Sequence, residues 1–433
     1  MRWRRAPHPA RRWTSLRSSR LRAALAALAL AALAGCSHPP RYIAPDVSVG
    51  DYRAFARAVE AHTLSGIVAG NRVELLLNGE QIFPAMLAAI REARASVTLA
   101  NYIWETGAIA DEFAAALAER CRAGVGVNVL VDAVGSHAMT KENQDTLTRA
   151  GCHFVRFHPL NPLNPQRFNR RNHRRVLVVD GHLGFTGGTG IGTKWTGDGR
   201  RPGHWRQTDV KVEGPIVKFL QAAFAENWRD ETGILLGGDA YFPEIAPRGD
   251  LRAQSVKSSP GAGTAEAYAL LLLAIEGART SIDISSPYFV PDAGMKEALA
   301  RAVRRGVRVS VLVAGEADNV VDRVVRLASR AEFGAALESG VKIYEYAGAM
   351  LHAKTVTVDG AWACIGSINV DNRSFGLNHE ASLVVYDAGI ARRLEAIYRD
   401  DLTRAREVTL EDWKRRGIGH FLELFVLPLH NAL

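Results

Sequence analysis

A pattern written in the first half of the chain is written again in the second, and this duplication limits the fold more than any other feature. Val97-Thr-Leu-Ala-Asn-Tyr102 alternates in hydropathy as a strand does, and so does Ser281-Ile-Asp-Ile-Ser-Ser-Pro-Tyr288. Each precedes an Ala-rich helical stretch, followed by Gly124-Val-Gly-Val-Asn-Val-Leu-Val131 in one half and Gly306-Val-Arg-Val-Ser-Val-Leu-Val313 in the other. Ala150–Val155 then corresponds to Ser339–Tyr344, each ending a helix at Gly and opening a strand. Strands alternating with helices predict βαβ units and a mostly parallel sheet covered by helices. The expected fold class is α/β: two tandem βαβ sandwich units related by a pseudo-two-fold axis, with the site in the groove where their equivalent loops meet. Gly237-Gly238, Pro243 and Pro247 punctuate the join, which places the units at 65–235 and 252–433.

The second copy carries His352-Ala-Lys354-Thr-Val-Thr-Val-Asp359 and then Gly366-Ser367-Ile-Asn369. His352 and Lys354, two apart on a strand, share a face, and so do Ser367 and Asn369. An imidazole, an ammonium, a hydroxyl and an amide on one small surface suit a phosphate: lysine brings charge, Ser and Asn bring neutral donors, and His titrates near neutrality. Glu380 is placed to accept from the far ring nitrogen of His352 and fix its tautomer. The first copy reads His173-Arg-Arg175-Val-Leu-Val-Val-Asp180, then Gly187-Gly188-Thr189-Gly190, at equal spacing. Two copies suggest two histidines facing one phosphorus, one attacking and the other protonating the leaving oxygen. Fixed cations take the place of a metal, so neither a metal nor a cofactor is expected. Asp209 is the candidate to serve His173 as Glu380 serves His352. Asp180 and Asp359 read as braces of the strand-to-turn geometry.

H-x-K-x4-D followed by G-S/G-x-N, present twice, resembles the signature of the phospholipase D superfamily. Asp371-Asn-Arg373-Ser374-Phe375-Gly-Leu-Asn378-His-Glu380 resembles the D-x-R-S-x-x-L-N-x-E stretch of its cardiolipin synthase branch. The similarity runs over roughly residues 65–430. It implies two tandem phospholipase D-like units. It also implies one site built from catalytic His173 and His352, phosphate-binding Arg175, Lys354, Ser367 and Asn369, and a phosphohistidine intermediate. The implied reaction joins two phosphatidylglycerols, or another phospholipid donor and phosphatidylglycerol. By the same analogy His173 attacks and His352 is the acid. The first copy departs from the pattern: Arg175 stands for Lys and Gly190 for Asn, the latter a lost donor worth about 1–3 kcal/mol to the transition-state cradle. Hydrolysis to phosphatidic acid is the alternative, with a nuclease or a pseudoenzyme further behind.

Charge bears on the nuclease reading. Eight arginines and no acid lie in residues 1–35; the rest of the chain has 46 basic and 45 acidic residues, a net of +1. A body this neutral lacks the basic track that nucleic acid requires, so no nucleic-acid partner is expected. The arginines precede an apolar run, Ala23–Ala34, too short to span a bilayer comfortably, and then Leu33-Ala34-Gly35-Cys36. This resembles a bacterial lipoprotein signal. It implies a signal peptide at 1–35, acylation of Cys36, an anchor and linker at 36–64, and a membrane-anchored body in the cell envelope facing the periplasm. Cys121 and Cys152 can pair in an oxidising compartment, but the simpler expectation is buried small apolar side chains. The arginines at 167, 170, 171 and 174 read either as a solvated loop or as attraction for anionic head groups. His153, His158, His182 and His204 are expected at the surface or in packing. The apolar stretch Gly419–Leu433 is expected to pack on the core.

Overall fold

The computed structural model describes residues 42–161, 163–259, 265–318 and 320–415. The leader, Cys36 and the Gly419–Leu433 stretch lie outside the described residues. The strands of the first half are β1 (Val68–Leu77), β2 (Ser96–Asn101), β3 (Gly126–Asp132), β4 (His153–Phe157), β5 (Val176–Val179), β6 (Leu183–Thr186) and β7 (Thr208–Glu213). The second half continues with β8 (Leu251–Ser258), β9 (Ser281–Ser285), β10 (Phe289–Val290), β11 (Arg308–Ala314), β12 (Lys342–Tyr346), β13 (Thr355–Val358), β14 (Trp362–Gly366), β15 (Val370–Asp371), β16 (Glu380–Val385) and β17 (Ala405–Val408).

One sheet runs β17-β12-β11-β9-β13-β14-β16-β8-β1-β7-β6-β5-β2-β3-β4. Outward from its centre, β1-β7-β6-β5-β2-β3-β4 mirrors β8-β16-β14-β13-β9-β11-β12, so the duplication in sequence is a pseudo-two-fold in space. The axis passes between β1 and β8, which pair antiparallel. The expected mostly parallel sheet is corrected. Only the β2-β3-β4 and β9-β11-β12 ladders of this sheet are parallel. The cause is local: β5 to β6 and β13 to β14 are hairpins, closed by Val179-Asp180-Gly181 and Val358-Asp359-Gly360, and a tight turn can join only antiparallel strands.

Asp180 and Asp359 hold the two hairpins in register with the neighbouring strands. Both adopt positive φ, 50° and 54°. Asp180 accepts the backbone N–H of Arg94, Ala95 and Ser96 at the entry to β2. Asp359 accepts those of Arg279, Thr280 and Ser281 at the entry to β9. A carboxylate that takes three backbone donors stands in for water where each of the two strands begins.

The stretch expected to be a linker is partly structural. Helix Tyr52–Thr63 sends Phe55 and Val59 into the core of the second half, beside helix Glu266–Gly277. The first-half core likewise takes in Leu312, Met350 and Leu351 from the second. Among the described residues no helix is long and apolar enough to cross a membrane. A disulfide joins Cys121, late in helix Ala108–Arg122, to Cys152 at the start of β4, with Cα atoms 5.5 Å apart. The expectation of two separate packing cysteines is therefore corrected: Cys121 lies near the end of the helix before β3 and Cys152 just ahead of β4, and the packing of helix Ala108–Arg122 against helix Lys141–Arg149 brings the two within bonding reach. Cys364 is buried and free.

Candidate active site

Two short segments cross between the halves and carry a histidine each. Asn172 bridges His379, and Arg206 bridges Leu351. Through these bridges the backbone N–H of His173 donates to His379 O (2.9 Å) and that of His352 to Arg206 O (2.8 Å). Each histidine is thus fixed by the opposite half. Both rings are nearly buried, 6% and 5% exposed, and both line one cavity of about 740 Å³ with Arg175, Asn369, Tyr102, Lys194, Trp205, Tyr288 and Arg373.

Around His173 the polar contacts gather on Nδ1. Its Nδ1–H donates to Glu380 Oε1 (2.8 Å) and Oε2 (2.9 Å), and the Ser367 hydroxyl donates to the same carboxyl. This corrects the expected pairing: Glu380, on β16 of the second half, serves the first-half histidine and not His352. The reason is the crossing bridge, which sets Glu380 beside the residue that bonds His173. Arg175 donates to His173 O (2.5 Å) and lies over the Tyr102 ring, whose edge meets His173. Its Nε and Nη2 are buried without a protein acceptor, so two guanidinium donors are left for a phosphate oxygen pair.

His352 sits instead in an aromatic box. Trp205 and Trp195 lie 4.9 and 5.9 Å from it, and Lys194 rests over both indoles while paired with Glu105 (2.7 Å). Lys354 donates to His352 O (2.8 Å). Its Cδ lies only 3.0 Å from where a Cβ on Gly188 would be, so glycine there lets the lysine reach across. A Cβ on Gly190 would come within 2.6 Å of the Trp195 ring. The lost amide at Gly190 therefore makes room for the indole that walls His352.

Electrostatics follow from burial. Desolvation first, then the cations Arg175 and Lys354, hold the His173 ring well below the usual imidazole range. His352 is lowered by burial, then by Lys354 and Arg175. Burial pushes Glu380 up to about 8. Both directions have one cause: burial disfavours the charged form of each group, although the two charges would attract one another. Lys354 is likewise lowered by burial and by Arg175. A phosphodiester anion brought among these cations offsets their mutual repulsion.

Asp209 does not meet His173 as the spacing suggested. It lies buried under the loop after β6, accepting Gly188 N–H (3.0 Å) and Gln207 Nε2–H (2.7 Å). The arginine cluster divides. Arg174 is fully buried and donates to Glu380 O, Ala223 O and Ser258 O. Arg171 is buried on His158 O and Asp132. Neither is a solvated loop residue or a head-group contact. His158 stacks on Phe157 and His153 on Trp228, away from the cleft. Sequence reasoning missed Tyr102, Lys194, Trp195, Trp205 and Gln207. Nothing in the motif spacing marks them: Tyr102 follows β2 directly, and the other four lie between β6 and β7, on a segment longer than its counterpart between β14 and β16.

The fold and the paired site define a phospholipase D-type phosphatidyltransferase. A family profile described as "Cardiolipin synthase, PLD-like domain" matches residues 271–402. Cardiolipin synthase A of Pseudomonas putida is 37% identical over 347 residues, 80% of this chain and 71% of the relative. The Pseudomonas aeruginosa protein of the same name is 37% identical over 370 residues, 85% and 74% of the two chains. The chain belongs to the cardiolipin synthase family. Among solved structures, phosphatidylserine synthase of Haemophilus influenzae superposes with TM-score 0.63 at 13% identity, covering 87% of this chain and 97% of that one. Polyphosphate kinase of Porphyromonas gingivalis does so with TM-score 0.54 at 12% identity, covering 78% and 49%. These two likenesses concern the fold.

Proposed function

We propose that the enzyme joins two phosphatidylglycerols, or a second phospholipid donor and phosphatidylglycerol, through a phosphohistidine on His173. The observation that carries this reading is that one histidine from each half lines the same cavity, with Arg175 and Asn369 in the same lining. In the first step His173 Nε2 attacks phosphorus, the bond to the leaving glycerol oxygen breaks, and His352 gives that oxygen its proton. In the second, the hydroxyl of the acceptor lipid returns a proton to His352 and attacks phosphorus, and the P–N bond breaks. Arg175, Lys354 and the amide of Asn369 stabilise charge on the non-bridging oxygens; positioning and fixed charge carry most of such a transfer. Ser367 acts through Glu380, which it braces.

Hydrolysis differs only in the acceptor. The carboxyl-flanked, aromatic wall formed by Tyr102, Tyr288 and Trp205 favours an alcohol over bulk water, since it lines the cavity with apolar surface. The lipoprotein-like leader and the Cys121–Cys152 bridge both support a lipid-anchored body in an oxidising compartment of the cell envelope, facing the periplasm. Phosphatidylglycerol labelled in its glycerol and presented in vesicles tests the reaction. Cardiolipin with released glycerol is expected; phosphatidic acid as the sole lipid product establishes the hydrolase, and an unchanged substrate with a folded protein overturns both.

A further inference from the structure

The two half-sites hold their histidines by the same backbone device but finish it differently. His173 N–H donates to His379 O, and the next residue is Glu380; His352 N–H donates to Arg206 O, and the next residue is Gln207. The ladders give the same correspondence. Gly366 pairs with Ser382, and Thr186 with Val210, which sets Gly187 against Asp209. Gly366 and Gly187 stand at equal distance after their histidines, so Asp209 is the mate of Ser382 and Gln207 the mate of Glu380. Gln207 is fully buried. Its Nε2 donates to Asp209 Oδ1, which leaves Oε1 at the other end of the amide. Gln207 Oε1 and His352 Nδ1 are both buried without a partner, an acceptor and a donor at the positions bonded to one another in the other half.

We infer that Gln207 Oε1 is the acceptor for His352 Nδ1–H, with Asp209 holding the amide, so that Gln207 is the positioning residue of the second imidazole. The inference rests on the paired-histidine reading for its chemical meaning. A neutral amide fixes the same tautomer as a carboxylate, leaving Nε2 toward the phosphorus, but adds nothing to the proton affinity of the ring. The other groups facing His352 are cationic or titratable: Lys354, Arg175, His173 and Lys194, with Asp318 bonded to its neighbour Trp205. As the imidazolium, protonated on both nitrogens, a ring so placed surrenders its Nε2 proton readily to a leaving alkoxide and keeps the Nδ1–H on Gln207. His173, backed by Glu380, is instead supported as it becomes positively charged in a phosphohistidine. The two imidazoles are therefore unequal by construction, which divides acid from nucleophile.

The test reads ring nitrogens in the folded full-length protein by 15N-histidine NMR, in wild type, Gln207→Met and Gln207→Glu, the last made together with Asp209→Asn so that the new carboxylate meets an amide donor and not a second buried carboxyl, beside the pH profile of lipid transfer. Gln207→Glu is expected to raise the His352 titration by about 1–3 pH units and to carry the alkaline limb of kcat/KM upward with it, leaving the His173 signals in place. Gln207→Met is expected to mix the His352 tautomers and lower kcat about tenfold with KM little changed. A His352 titration that is the same in wild type and Gln207→Glu overturns the pairing, as does a shift confined to His173. Because the ring signals need no turnover, a shifted His352 in a protein that makes no product overturns the reaction and keeps the pairing.

Discussion

Arg175, Gly188, Gly190 and Gln207 in the first half occupy the places of Lys354, Ser367, Asn369 and Glu380 in the second, on strands that correspond one for one. Away from the cleft the halves keep the same order of seven strands, down to the aspartates of positive φ that clasp β2 and β9. Inside it, one half supplies a carboxyl, a hydroxyl and an amide, and the other supplies two glycines and an indole that packs over Gly190. A duplicated frame thus keeps two histidines in mirrored places while its side chains make their surroundings different. The divergence is not simple decay: Trp195 fills the room the missing Asn left, and Arg175 keeps two guanidinium donors without a protein acceptor.

The sharpest way to break the comparison is to remove each histidine. His173→Ala and His352→Ala are each expected to lower lipid transfer by about 10³-fold or more. They should part company on a substrate whose leaving group is p-nitrophenoxide, which departs without a proton. There His352→Ala retains a first-turnover burst and labelled protein, measured by stopped flow and acid quench, and His173→Ala gives neither. Equal loss of the burst in both erases the division of labour.

A smaller effect probes the frame. The Cys121–Cys152 bridge closes a loop in the first half alone, where Val303 and Val341 stand in the second. Replacing both cysteines by serine is expected to lower unfolding free energy by about 3 kcal/mol, read by denaturant melts, with activity per folded molecule kept. No change on replacement or reduction removes that asymmetry. The smallest contrast is a predicted equality. Asp180→Asn and Asp359→Asn each weaken three backbone contacts and should cost about 1–3 kcal/mol apiece in the same assay. A cost at one position alone shows that the two clasps are not equivalent.

Much of this was legible in the residues. The alternation of Val97–Tyr102 and Ser281–Tyr288 gave strands, and the equal offsets of 173, 175, 180 and 352, 354, 359 gave two half-sites. Less legible was sheet direction: the general alternation of strands and helices predicted parallel pairing, whereas the turns at Asp180 and Asp359 fold β5 on β6 and β13 on β14 as antiparallel hairpins. Glu380 lies 28 residues after His352, and that spacing concealed that it faces the other histidine. Gln207 was hidden behind the unequal loop of 196–204, and Arg174 gave no sign that its guanidinium is buried against three carbonyls.

Sequence alone determined that this protein is a doubled α/β chain with paired histidines, cations and aspartates, because strand periodicity and fixed offsets are properties of neighbouring residues. Tertiary structure decided which carboxyl, amide and indole surround each ring, because those groups arrive from the opposite half, and only the packing of β1 on β8 and the crossing bridges sets who meets whom.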